Sequence, residues 1–334
     1  MGTCRNPVIA ALAIVVFAIS PASAQAPKPL DTKGTFSLVI ENDRFTGQDR
    51  HYTNGIQASW LSGEDVPDWI DRLGDAMPVF ADDSRRRYGV EIGHLIFTPE
   101  NTATTAPIPN DRPYAAWLYG GFGLTAATED RLDRLVLTLG IVGPDAGGEF
   151  VQNEFHGLIG VDEAMGWDNQ IRNEPTLNLF YERQWRWLAE STDGFGFDAQ
   201  PHLGVALGNV YTYAAAGLAF RFGRDLPADW GPPRVRPGLP GSAYFQPRSG
   251  SGFGWYLFAG AEGRAVARDI FLDGNTWKDS PSVDKKPLVA DLNAGLAITF
   301  DAVRLAYTFV YRTKEFDGQD EADKFASISV SFRW

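Results

Sequence analysis

The sequence predicts an all-β fold, a transmembrane antiparallel β-barrel of about twelve strands with a short helix in an external loop. Three observations support this prediction. The N-terminus has the features of an export signal, the last residues alternate between apolar and polar up to Trp334, and the same alternation recurs in about twelve segments along the chain. An even number of strands is typical of bacterial barrels.

The N-terminal segment is predicted to be a secretory signal peptide over residues 1–24. A basic residue precedes an apolar run over residues 8–19, and small residues follow as a cleavage site. The barrel domain then extends over residues 25–334. The one cysteine, Cys4, falls within the signal peptide, so the barrel must be stabilised without disulfides, by a large core or by a membrane.

The composition excludes two other classes of protein. No later stretch reaches the ~18 consecutive apolar residues that a membrane-spanning helix needs. The net charge of −12 argues against nucleic-acid binding, which requires a basic stripe. An aromatic content of 13% and 35 glycines fit one large all-β unit instead.

The C-terminal segment shows the alternation most clearly. Ile328, Val330, Phe332 and Trp334 alternate with Ser327, Ser329, Ser331 and Arg333. One face would therefore meet lipid and the other would be polar. An edge strand of a periplasmic sandwich could alternate in the same way, but a signal peptide together with a final aromatic residue is typical of outer-membrane barrels. We expect a location in the outer membrane of a Gram-negative bacterium, with insertion by the barrel-assembly machinery.

The twelve predicted strands, including the C-terminal one, begin near Thr35, Tyr52, Arg86, Tyr114, Arg131, Thr176, Phe197, Tyr211, Trp255, Pro287, Arg304 and Lys324. Charged residues such as Asp291 fall on the face opposite the apolar one. A barrel lumen accepts such charges at lower cost than a dry core does. Glu182 and Arg186 are candidates to fill the lumen.

Strand parity divides the connections between the two ends of the barrel. With the N-terminus in the periplasm, the external set covers residues 43–51, 98–112, 143–175, a turn near Asn209, 269–285 and 313–323. The connections 63–85 and 223–254 are then periplasmic, and both are long for such a barrel.

The polar clusters that could carry chemistry lie in the external loops. They are Glu41-Asn42-Asp43, Tyr52-Thr53-Asn54-Gly55 and the segment from Gln152 to His156. No Gly-x-Ser-x-Gly elbow, His-Glu-x-x-His helix or phosphate-binding P-loop is present. Of the other histidines, His94 and His202 are expected to face the lumen, and His51 lies at a loop edge where it could be solvated.

His156 is the candidate general base. Apolar residues in the segment 148–160 have helix-like spacing, which would place Gln152 and His156 four residues apart on one helix face. A neutral imidazole can take a proton from water near neutral pH. A rim histidine with only a packing role would have the same spacing.

Several motifs together resemble the lipid A 3′-O-deacylase (LpxR) family, in order and over nearly the whole mature chain. They are Asn42-Asp43, Tyr52-Thr53 with Gly55, Phe97-Thr98-Pro99, Asp111-Arg112, and the run Gly143–Gly148 followed by Val151-Gln152-Asn153 and His156. The resemblance implies a twelve-stranded outer-membrane barrel that depends on calcium and removes the 3′-linked acyloxyacyl chain of lipid A in lipopolysaccharide. It also implies a site between the outer barrel wall and a helix in an external loop.

The resemblance places the family's functional residues on five positions, namely His156, Asn42, Asp43, Thr53 and Gln152. His156 would activate water, and Ca²⁺ held by Asn42 and Asp43 would stabilise the oxyanion. Thr53 could instead be a nucleophile with His156 as its base. The family's active-site lysine has no counterpart, because Thr104 occupies its place.

Two other functions remain open at the level of the sequence. A passive pore or a structural barrel would have the same strands. A barrel phospholipase would need a serine nucleophile, and no serine lies near His156 in the predicted loops.

Overall fold

The computed structural model describes residues 29–48, 50–160, 162–190, 194–227, 229–236, 242–246 and 252–334. The predicted signal peptide lies outside the described residues. Asp31–Trp334 form one compact unit. Within the described residues, no helix has both the length and the apolar character needed to span a bilayer.

Antiparallel strands form one closed sheet in the described part of the chain. Their bounds are β1 Thr35–Asn42, β2 His51–Leu61, β3 Arg85–Thr98, β4 Ala115–Ala127, β5 Arg131–Val142, β6 Glu174–Trp185, β7 Trp187–Glu190, β8 Phe195–Gly208, β9 Tyr211–Arg224, β10 Phe253–Asp269, β11 Leu288–Phe300, β12 Val303–Arg312 and β13 Asp323–Arg333. Segments β6 and β7 are separated by Arg186 alone and both pair with β8, so together they form one strand. The barrel therefore has twelve strands, as predicted, and the β1–β13 pair closes it.

Helical segments lie in the connections. They are α1 Asp68–Asp75, α2 Gly148–Ile159 and α3 Ile270–Asp273, with 3₁₀ turns at Asp43–Thr46, Pro144–Ala146 and Trp167–Asn169. The connection between β5 and β6 contains α2, so the predicted helix in an external loop is present.

Alternate residues of each strand face opposite sides of the wall. In β12, Leu305 and Phe309 are exposed on the outer surface, whereas Arg304 and Thr308 are buried inside. In β11, Asp291 is also fully buried. The period of two in the sequence therefore separates a lipid-facing surface from a polar lumen, as expected for a transmembrane barrel.

The connection between β9 and β10 folds back into the lumen. We call its described residues, 229–236 and 242–246, the lumen segment. Asp229 lies 2.5 Å from Arg304 Nη1, and the Arg234 Nε–H donates to Glu41 at 2.6 Å. The Arg236 guanidinium donates to Glu91 at 3.1 Å. Paired charges from the wall and from this segment therefore fill the lumen.

Glu182 and Arg186 help to fill the lumen, as predicted, but they pair with other residues and not with each other. Glu182 lies 3.5 Å from Arg236, and Arg186 lies 3.8 Å from Asp198. The sequence could not show this arrangement because Arg236 belongs to a distant connection.

The connections divide between the two ends as strand parity predicts. Six of them, β1–β2, β3–β4, β5–β6, β8–β9, β10–β11 and β12–β13, lie at what we call the loop end. Thr35 pairs with Arg333, which places both strand termini at the opposite, terminal end. The two long connections, which contain α1 and the lumen segment, also begin at the terminal end.

Candidate active site

Helix α2 packs against the outer wall of the barrel at the loop end. It follows Gly147 and is capped by Gly160, both in the left-handed conformation that favours glycine. Val151 packs with Ile96 of β3 and with Trp167, in a cluster of outward-facing and loop residues. The helix predicted from apolar spacing is thus present and covers wall residues that would otherwise meet lipid.

A β-bulge in β2 gives the facing wall its polar side chains. Tyr52 pairs with Phe97 and Asn54 pairs with Ile96, which leaves Thr53 as the extra residue. Tyr52 points inward and donates to Glu41 at 3.0 Å. Thr53 and Asn54 both lie on the outer side as a result, next to α2.

The cleft between this wall and α2 brings together four of the five predicted site residues. Asn42, Thr53, Gln152 and His156 line it. The fifth residue, Asp43, is buried beside it, where its Oδ2 accepts from the backbone N–H of Arg50 at 2.5 Å. Three separate elements, the end of β1, the bulge of β2 and α2, therefore meet at one place.

The surroundings of His156 determine which ring nitrogen carries the proton. Nδ1 lies 2.7 Å from the backbone carbonyl of Asp162. A carbonyl oxygen can only accept, so Nδ1 is the donor and Nε2 of the neutral ring has a free lone pair. His156 is only 2% exposed, and it borders the cleft. The ring is therefore oriented as a proton acceptor.

Gln152 is fixed one helical turn before His156. Its Oε1 accepts from the indole N–H of Trp167 at 2.9 Å, which sets the orientation of the amide. Its Nε2 is buried and has no hydrogen-bond partner within the described residues. A buried donor without a partner is costly, so this N–H is suited to an oxygen that enters the cleft.

The hydroxyl of Thr53 lies 2.8 Å from the hydroxyl of Thr98. Within the described residues, no hydrogen bond joins Thr53 to His156. The threonine hydroxyl is thus hydrogen-bonded to Thr98 in this structure.

The oxygen atoms of Asn42 and Asp43 are of the type that calcium prefers. Asn42 Oδ1 accepts from the Arg44 N–H at 2.8 Å, and this bond starts the turn that positions Asp43. Within the described residues, no group of three or more His, Cys, Asp or Glu side chains could share a metal. The two residues fit calcium in donor type, and the remaining ligands would have to be backbone, water or substrate oxygens.

Exposed apolar side chains lie at the cleft and on the elements that form it. Phe155 lines the cleft, Phe150 and Leu158 lie on the same helix and Phe45 lies in the first loop, and all four are more than a third exposed. Exposed apolar side chains on the outer wall of a membrane protein are suited to contact with acyl chains. The cleft therefore lies on the lipid-facing side of the barrel.

Arg44 is a cleft residue that sequence reasoning missed. It is partly buried and lines the cleft beside Asn42. Thr104, at the position of the absent family lysine, lies in the loop 99–114, where its hydroxyl accepts from the Ala106 N–H at 3.1 Å. Thr104 is not part of the cleft lining. Arg44 could have been identified from the sequence, because it directly follows the Asn42-Asp43 pair.

His51 is not solvated, contrary to the expectation. It is buried, with Nδ1 2.7 Å from Asp323 and Nε2 3.5 Å from Asp111. Burial acts to raise the pKa of the Asp111 carboxyl, but contacts with His51 and with the N–H groups of Glu100 and Arg112 outweigh it and lower that pKa. His51 thus links β2 to the start of β13 and to the loop between β3 and β4.

The two remaining histidines lie on opposite sides of the wall. His202 faces the lumen, as predicted, 3.1 Å from Glu262. His94 does not face the lumen. It points outward, and its Nε2 lies 2.9 Å from the carbonyl of Ala146, just before α2. The loop that carries α2 covers this outward position, so a polar side chain is tolerated there.

Comparisons with known proteins agree with this architecture. A family model described as outer membrane protein LpxR matches residues 9–334. LpxR from Salmonella typhimurium is similar in structure, with a TM-score of 0.72 at 21% identity over 89% of this chain and 99% of that one. The β domain of the Bordetella autotransporter BrkA matches with a TM-score of 0.46 at 12% identity, over 90% of this chain and 99% of that one. No curated protein matches the sequence significantly.

The family match extends over nearly the whole sequence, and the Salmonella structure shares the closed twelve-stranded fold. Both agree with the predicted location in the outer membrane of a Gram-negative bacterium. The chain belongs to the LpxR family of outer membrane proteins.

Proposed function

We propose that this protein hydrolyses the 3′-linked acyloxyacyl ester of lipid A, with His156 as the general base. Family membership supports the more general assignment, an outer-membrane lipid A deacylase. One observation carries the finer proposal. A buried histidine, oriented by a hydrogen bond at Nδ1, lines a cleft on the outer wall of the barrel.

The chemistry needs one water molecule and no covalent intermediate. His156 Nε2 takes a proton from water as the water oxygen attacks the ester carbonyl. Gln152 Nε2–H donates to the oxyanion that forms. The protonated imidazole then gives its proton to the leaving oxygen, which becomes the 3′-hydroxyl of lipid A, and the acyloxyacyl chain leaves as a carboxylic acid.

Two further groups assist the reaction. Calcium, when held by oxygens of Asn42 and Asp43, would supply positive charge near the oxyanion. Arg44 lines the same cleft and is suited to a phosphate group of lipid A, since a guanidinium binds phosphate through two parallel hydrogen bonds. It would do so in place of the lysine that the resemblance implies.

The rival functions have less support. A pore needs an open lumen, whereas this lumen is filled by paired charges and by the lumen segment. A serine phospholipase needs a serine next to its general base, and the described cleft lining around His156 contains no serine. The hydroxyl of Thr53 is engaged with Thr98, which favours water as the nucleophile.

The test is the mass profile of lipid A from cells that express the chain. Lipid A from cells with the wild type should be lighter by the mass of the 3′-acyloxyacyl group. His156→Gln should lower the rate of this deacylation by a factor of ~10² or more, the usual contribution of a general base. His202→Gln is the matched control, because His202 lies on the other side of the wall. An unchanged mass profile with correctly folded wild-type protein would refute the proposed activity. Wild-type conversion by His156→Gln would refute only the assignment of the base.

A further inference from the structure

A second helix lies on the outer wall, at the terminal end. Helix α1 and the residues that flank it, 66–80, form a segment that we call the collar. Ile70 is fully buried and Phe80 nearly so, in a cluster with Leu124 and Ala126 of β4. These β4 residues alternate with the lumen-facing ones, so the collar covers the outer surface of the barrel.

The collar is continuous with the exposed apolar surface of the wall. The Trp69 ring stacks on Phe122 of β4, with ring centroids 6.2 Å apart, and lies 6.4 Å from Tyr88 of β3. In the ladder, Phe122 is the partner of Val90, which is 49% exposed on the same outer surface. Trp69 therefore lies directly beside the lipid-facing surface of β3 and β4.

The helix divides its side chains into an apolar and a charged side. Trp69 and Leu73, four residues apart on one face, are 51% and 37% exposed. Asp71 and Asp75 face Arg86, whose Nη2 lies 2.7 Å from Asp75 Oδ1. The charges of Asp71 and Asp75 are thus met by the wall, while the outer side of Trp69 and of Leu73 remains exposed.

We propose that α1 is an interfacial helix that inserts Trp69 and Leu73 into the phospholipid leaflet at the terminal end of the barrel. An amphipathic helix with a tryptophan on its apolar side binds in the headgroup zone of a membrane. Lipid is the occupant because the collar is continuous with the lipid-facing wall. Val90, two residues after Tyr88 on β3, lies on the same outer surface, which is embedded in the membrane in an outer-membrane barrel. This inference is independent of the proposed deacylase activity.

The experiment uses spin labels on the full barrel in phosphatidylcholine vesicles. Cysteine is absent from residues 25–334, so Leu73→Cys and Asp68→Cys each give one labelling site in the mature chain. Asp68 is exposed on the charged side of the same helix and is the matched control. We expect the label at position 73 to collide at least severalfold more often with oxygen than with a water-soluble nickel chelate, and the label at position 68 to show the reverse.

Equal access of the nickel chelate to both positions would overturn the proposal, because the apolar side would then be in water. A second measurement covers failure of Leu73→Cys to fold. Quenching of tryptophan fluorescence by brominated lipid should decrease in Trp69→Phe relative to wild type. An unchanged quenched fraction would also overturn the proposal.

Discussion

The orientation of His156 depends on one carbonyl outside its own helix. Asp162 accepts the Nδ1 proton, and Asn153 holds the same loop by accepting from the Ala164 N–H at 2.9 Å. The opposite tautomer would break this partly buried hydrogen bond, at a cost of about 1 kcal/mol. The Gln-Asn pair of the motif thus has two duties, since Gln152 lines the cleft and Asn153 supports the loop that aligns the base.

The first prediction at this scale concerns calcium. If Asn42 and Asp43 supply hard oxygen ligands, a calcium chelator should abolish deacylation, and added Ca²⁺ should restore it. Mg²⁺ should restore less, because it is smaller and requires nearly octahedral geometry. The assay is lipid A hydrolysis by purified protein in detergent, and Asp43→Asn should raise the calcium concentration needed for half of full activity.

Full activity in excess chelator would remove the metal from the mechanism. In that case the Gln152 Nε2–H would be the remaining hydrogen-bond donor to the oxyanion, and Arg44 the remaining positive charge in the cleft lining. Wild type and Asp43→Asn should be compared at equal amounts of folded protein, so that a loss of activity is not confused with a loss of the folded barrel.

Single residues also show where sequence reasoning failed. His156 could be selected because its helix is local and its neighbours repeat with a helical period. His51 could not be placed, because its partner Asp323 is 272 residues away in the chain. His94 was assigned to the lumen because a polar side chain in a barrel strand usually faces inward, but the loop that carries α2 covers its outward position.

At the scale of elements, the cleft depends on the bulge in β2. Without the extra residue, Thr53 and Asn54 would alternate and one of them would face the lumen. The sequence does not reveal this bulge, since Tyr52 to Asn54 contain no glycine or apolar repeat that marks it. Helix α2 was predictable from its own residues, whereas the wall it faces was not.

The lumen segment gives a prediction of its own. The wild type should show only background conductance in planar bilayers, because Arg234 and Arg236 hold this segment against Glu41 and Glu91 inside the barrel. Replacement of residues 226–251 by a short glycine-serine turn should produce a conducting channel. A change in electrophoretic mobility on heating would verify that the variant still folds.

Steady conductance by the wild type would contradict this description of the lumen. It would also revive the passive pore as a function. No change in conductance after the replacement would mean that the wall side chains alone close the lumen.

At the scale of the whole molecule, closure of the barrel depends on its last strand. β13 pairs with β12 on one side and with β1 on the other. Trp334 is 54% exposed and stacks on Phe332 at the terminal end, where an aromatic belt meets the membrane interface. Trp334→Asp should therefore lower the amount of heat-modifiable protein in the outer membrane, since the aromatic anchor is lost and a charge there costs up to ~1 kcal/mol.

Trp334→Phe is the matched control and should assemble normally. Wild-type levels of folded Trp334→Asp would show that the terminal aromatic residue has no part in assembly.

The architecture as a whole was largely predictable, because a period of two in a membrane protein fixes which side of the wall each residue faces. Strand starts agree within two residues, for example Arg304 expected and Val303 observed. The fold of the long connections was not predictable. The lumen segment is held by strands far away in the sequence, and the collar by β4 as well as by the next strand, β3. Neither connection has an alternation that gives its position.

The position of the cleft on the outer wall also determines in which units the substrate concentration should be expressed. A lipid that reaches the outer wall by diffusion within its leaflet meets the protein at a frequency set by molecules per unit area, and molecules per unit volume of water have no bearing on it. For the proposed reaction, diluting lipid A with an inert lipid at constant bulk concentration would slow turnover in proportion to the mole fraction. A water-soluble ester would have to partition into the bilayer before it could react at all.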